Sequence, residues 1–99
     1  MKFNIPDVYN TNYIVLHPCK LNDIQVTQAR DLGKANKSVY YNDRARTLVL
    51  VENTIFKVIS MHDTSLRIEI ITCIDKWLNH VKVYLDAEEL GKIEIEPYK

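Results

Sequence analysis

Short runs in which apolar and polar residues alternate recur along this chain, and that period of two predicts strands. Residues 12–17 form a β-prone run that Pro18 ends by removing a backbone donor. Residues 39–41, 46–51 and 54–60 are rich in Val, Ile, Tyr, Phe and Thr, whose branched or flat side chains suit a pleated surface. Glu52 and Asn53 separate the last two runs at the spacing of a two-residue hairpin loop, which predicts that these runs pair. From Ser65 to Cys73 two periods compete. Leu66, Ile68 and Ile70 alternate with Arg67 and Glu69, while Leu66, Ile70, Cys73 and Trp77 also follow helical spacing. Isoleucines lose χ1 freedom in a helix, so the four between positions 68 and 74 favour a strand. Val81, Val83 and Leu85, then Ile93 and Ile95, alternate with charged or polar neighbours and predict a second antiparallel hairpin. Its connection, residues 86–91, suits either a turn or one helical turn at Ala87–Leu90.

One segment reads as helix. Asn22, with Gln25 three residues later, resembles a capping box, and Gly33 stands where a left-handed residue would close the helix. A helix over residues 22–32 would share Leu21, Ile24, Gln28, Ala29 and Leu32 on one narrow apolar face, able to rest on a sheet. The expected fold is therefore α+β, a small antiparallel sheet of five or six short strands with one helix packed on a face.

Composition fits that picture. Ninety-nine residues, 46% hydrophobic and 26% charged, suit one domain over residues 1–99 with one core. Thirteen basic side chains balance thirteen acidic ones, so no overall field gathers nucleic acid or anionic lipid. No apolar stretch approaches the roughly 20 residues a spanning helix needs. The opening residues lack a secretory apolar run, and an intracellular setting is expected.

Candidate chemistry is sparse. His17, Cys19, Cys73 and His80 include four nitrogen or sulfur donors, yet neither pair has zinc-knuckle spacing, so no metal is expected. Cys73 with His80, or Cys19 with His17 or His62, could make a nucleophile and base, but no local signature surrounds either cysteine. The expected role of both thiols is as separate core or near-core residues. The two glycines, Gly33 and Gly91, open no phosphate-binding loop, and no cofactor is expected. Glu88 with Glu89, and Glu94 with Glu96, read as solvated faces rather than paired acid and base. These readings together point away from an enzyme and leave no catalytic residue to name.

Two binding readings remain. Residues 30–46 carry five basic side chains against two acidic ones. Within them Lys37, Arg44 and Arg46 could meet phosphates while Tyr40 or Tyr41 stacks on an unpaired base. The ordinary alternative is a solvated connection leading into a core strand. The other reading is protein association at an open strand edge or a pocket between sheet and helix, with exposed tyrosines among Tyr9, Tyr13, Tyr84 and Tyr98 as anchors. The run KIEIEPYK could supply such an edge or complete its own sheet.

In texture, the runs DVYNTNYIVL, SVYYNDRARTLVLVENTIFKVI and IEIITCIDKW resemble the small orphan proteins of archaeal filamentous viruses. That resemblance is one of composition and size and carries no site residue across. It implies a virion component or host-interaction protein, acting in the host cytoplasm, and would allow a disulfide between Cys19 and Cys73. The expected function is a non-enzymatic protein-interaction module with a protein partner, nucleic-acid binding through Lys37, Tyr40, Tyr41, Arg44 and Arg46 being the alternative.

Overall fold

The computed structural model describes residues 11–98. Nine strands and three single helical turns follow in the order β1 (Asn12–Val15), β2 (Cys19–Leu21), β3 (Gln25–Gln28), α1 (Leu32–Ala35), β4 (Tyr41–Asn42), β5 (Thr47–Leu50), β6 (Ile55–His62), β7 (Ser65–Thr72), a 3₁₀ turn (Lys76–Leu78), β8 (Lys82–Asp86), α2 (Ala87–Leu90) and β9 (Ile95–Tyr98). A six-stranded sheet has the order β3-β8-β7-β6-β1-β9, and a three-stranded sheet the order β2-β5-β4. Every pairing among the described residues is antiparallel. The fold is thus mostly β, and the expected α+β arrangement with one helix on a face is corrected to two sheets with short helical corners.

The alternation read in the sequence positions the core. Phe56 and Val58 of β6, Leu66, Ile68 and Ile70 of β7, and Val83 and Leu85 of β8 are buried, while Lys57, Arg67, Glu69 and Lys82 between them stay partly exposed. Leu21, Leu48 and Leu50 of the small sheet belong to the same buried cluster. Each such side chain contributes roughly 1.5–3 kcal/mol when fully buried. Competing periods over residues 65–73 resolve as strand, because β6 on one side and β8 on the other take up the backbone groups of β7.

The helix expected over residues 22–32 does not form. Asp23 takes a left-handed conformation, φ 55°, and the chain re-enters extended backbone at Gln25. Val26 and Thr27 suit a strand, and β8 offers an unpaired edge where Gln25 meets Tyr84 and Val26 meets Val83. Leu21 and Ile24, two of the five residues of the supposed helical stripe, are instead buried from β2 and from the connection that leads to β3. Helix starts only at Leu32, where Asp31 Oδ1 accepts the Lys34 N–H. Gly33 lies inside this turn and has no positive φ, so its expected role as a left-handed terminator is corrected too.

Both expected hairpins are also redirected. Glu52 and Asn53 do make a tight turn, with Asn53 at φ 71° and the Thr54 N–H donating to the Val51 carbonyl. Asn53 N–H, however, donates to Val15 O, which ties the turn to the end of β1 and hands the chain from the small sheet to the large one. The true hairpin joins β6 to β7 through Asp63 and Thr64, with His62 opposite Ser65. Likewise β8 and β9 do not pair. Four successive antiparallel steps separate them across the sheet, so they run in the same direction. The helical alternative at Ala87–Leu90 is the one realised, and burial of Leu90 and Ile93 anchors this crossover to the core. The run 39–41 contributes only Tyr41 to β4, and Val39 is left exposed.

Candidate functional site

The corner where α1 meets the 3₁₀ turn gathers side chains from two stretches far apart in sequence. On one side, the Asp31 cap starts α1, Ala35 is buried, and Ser38 ends the turn by donating its N–H to Ala35 O and accepting the Tyr40 N–H at Oγ. On the other side, Cys73 N–H donates to Asn79 Oδ1 at 3.0 Å, the Cys73 thiol donates to Asp75 O, and Asp75 Oδ1 accepts the Trp77 N–H. These local bonds satisfy backbone groups that a strand would otherwise pair, and they hold Trp77 in place.

Between the two stretches lies an open hollow of about 340 Å³ lined by Lys34, Lys37, Ser38, Asp75 and Trp77. Lys34 Nζ stands 4.2 Å from the centre of the indole ring, and Lys76 Nζ 5.2 Å from it. Both distances lie within the roughly 6 Å at which an ammonium is attracted by an aromatic face. Three large aliphatic side chains on the segments that frame the hollow are exposed, Leu32 at 51%, Val39 at 88% and Ile74 at 71%. Among the described residues the other large exposed hydrophobics are Tyr84 and Tyr98. Of the expected tyrosine anchors, then, Tyr84 and Tyr98 are exposed and Tyr13 is buried in the core, while Tyr9 lies outside the described residues.

The residues named for nucleic acid divide between places. Lys37 lines the Trp77 hollow. Tyr41 and Arg46 line another of about 350 Å³ with Ile24, Gln25, Val26 and Asp43. Arg46 is a fastener there, since its carbonyl accepts the Ile24 N–H while its Nε donates to Ile24 O. Tyr40 and Tyr41 are half-buried against the core, and burial together with the Asp43 charge raises the Tyr41 phenol above its usual range. Arg44 is exposed on a loop that Asn42 Oδ1 shapes by accepting the N–H groups of Arg44 and Ala45.

Both cysteines are free and pack partly buried against the core. Burial raises each thiol above its ordinary value, with Glu89 adding to the rise at Cys19 and Asp75 O opposing it at Cys73. A thiol held protonated is a poor nucleophile. The three histidines face carboxylates, His17 toward Glu94, His62 toward Asp63 and His80 toward Glu69. Among the described residues no three His, Cys, Asp or Glu side chains converge as a metal site, and no helix is long and apolar enough to cross a membrane.

Sequence reasoning missed the Trp77 corner. Trp77 entered it only as a helical-spacing match, and nothing local says that a residue near position 34 will face one near 77. Lys34 and Lys37 were legible as part of a polar segment over residues 34–38 but not as one wall of a hollow, and Val39 reads as strand. Compared with known proteins, the chain matches no protein-family model, no curated protein and no solved structure.

Proposed function

We propose that this chain is a non-enzymatic protein-interaction module that docks its partner on the corner between α1 and the 3₁₀ turn. The observation that carries this reading is the exposure of Leu32, Val39 and Ile74 on the two segments that line the Trp77 hollow. Aliphatic side chains left in water each forgo the gain of burial, and where several flank one concavity a partner surface can recover it. Trp77 adds a large, fixed ring of the kind that dominates interface energetics. Nucleic-acid binding draws less support. Tyr40 and Tyr41 are packed partly against the core rather than offered for stacking, Arg46 commits its Nε–H to the Ile24 carbonyl, and aliphatic groups recognise no phosphate.

Affinity capture from the source cells with mass spectrometry, repeated after nuclease treatment, tests this reading. Wild-type protein is expected to retain a specific protein partner after nuclease, and the Leu32→Asp/Ile74→Asp double variant, its fold checked by circular dichroism, to lose it. Capture that nuclease abolishes, and that Arg44→Ala/Arg46→Ala removes while Leu32→Asp/Ile74→Asp does not, would replace it with the nucleic-acid reading.

A further inference from the structure

Resting on that docking surface, we infer that the bound segment is an acidic peptide, its carboxylates meeting Lys34, Lys37 and Lys76 and its apolar side chains lying on Leu32, Val39 and Ile74. The argument is one of charge left without a partner. Lys57 pairs with Glu69 and Lys92 with Glu89, but no ion pair among the described residues includes Lys34, Lys37 or Lys76. The two nearby acids each cap a helical turn through one oxygen. Asp31 accepts the Lys34 N–H and Asp75 the Trp77 N–H, so each carboxylate is committed to starting a helical turn. Around the hollow, Lys34, Lys37 and Lys76 stand against Asp31 and Asp75, an excess of one positive charge.

The indole holds this charge in position. An ammonium attracted to a ring face keeps its remaining donors directed outward, so Lys34 and Lys76 are placed rather than freely waving above Trp77. That placement lowers the side-chain ordering cost that normally weakens exposed ion pairs. It also tells against a stacked base, because Lys34 already lies over the indole. Aliphatic groups beside the lysines match a peptide that alternates acidic and apolar residues, and they have no counterpart on a sugar–phosphate chain.

Trp77 is the only tryptophan in the chain, so its emission reads occupancy of the hollow without a label. Immobilised wild-type protein is panned against a random-peptide display library, with Leu32→Asp/Ile74→Asp protein as counter-selection. Selected peptides are then titrated against Trp77 emission. The expected result is enrichment of Asp and Glu beside aliphatic residues, with affinity weakened about tenfold or more in Lys34→Gln/Lys37→Gln/Lys76→Gln protein of unchanged circular dichroism and weakened further as salt rises. Peptides that need Leu32 and Ile74 but are neutral or basic would overturn the acidic-peptide inference and leave the docking surface standing. Failure to recover any peptide dependent on Leu32 and Ile74, or a Trp77 response only to oligothymidylate, would overturn both.

Discussion

Glu89 is the one charged side chain that folding buries among the described residues. From α2 its Oε1 accepts the Asn22 N–H at 3.1 Å, tying the crossover to the turn between β2 and β3, and its other oxygen pairs with Lys92. The hydrogen bond from Lys92 holds the Glu89 carboxyl below the usual carboxylate range against the opposing effect of burial. A carboxyl with a depressed folded-state pKa stabilises the fold above its unfolded pKa, about 4.3 for Glu, and that contribution is lost as pH falls through the lower folded value. Glu89→Ala is expected to cost about 1.5–3 kcal/mol near neutral pH, since it removes a charged acceptor and leaves the Asn22 N–H without it. The difference from wild type should shrink as pH drops below about 4, where protonation weakens the same contacts in the native chain. Urea denaturation at neutral pH and near pH 3 checks both parts, and an unchanged difference across that range would contradict the assignment.

Among the elements, α1 shows how little chain a helical turn needs when tertiary contacts hold it. It has four residues, starts on the Asp31 side chain, and is anchored by buried Ala35. Gly33 inside it has no positive φ, and an added Cβ would meet Asp31 Oδ1 at 3.4 Å, an ordinary contact. Gly33→Ala is therefore expected to stabilise by about 0.4–1 kcal/mol by restricting the unfolded chain, raising the melting temperature by a few degrees. A fall would mean that the turn requires glycine after all. The contrast with residues 22–32 is instructive, because a capping pattern there lost to Val26 and Thr27 once β8 supplied a partner. Local propensity over such a span is worth a few tenths of a kcal/mol per residue, less than a ladder of backbone bonds joined to a core.

For the whole molecule, the large sheet ends on β3 and β9, neither of which takes a second partner among the described residues. β3 carries a register shift between Val26 and Gln28, and β9 carries Glu96 and Pro97. A bulge, a charge and a missing donor all discourage pairing with another chain. Removing two of these devices with Glu96→Val/Pro97→Val is expected to produce concentration-dependent self-association, measured by light scattering during gel filtration, whereas wild type at the same concentrations should show a smaller dependence. Equal behaviour of the two would show that β9 is not an available edge.

Period and residue type alone determined that strand would dominate the regular structure, that Leu66, Ile68 and Ile70, and Val83 with Leu85, would face one side, and that the thiols would lie against the core. Those properties follow from the two-residue repeat and from side-chain stiffness, which each segment carries with it. Which strand lies beside which was decided elsewhere. Two runs separated by a turn-like pair ended in different sheets, two alternating runs ended four places apart, and Lys34 came to rest over Trp77. Pairing depends on backbone partners and shared burial that arise only when distant segments meet, so no window of the sequence contains it.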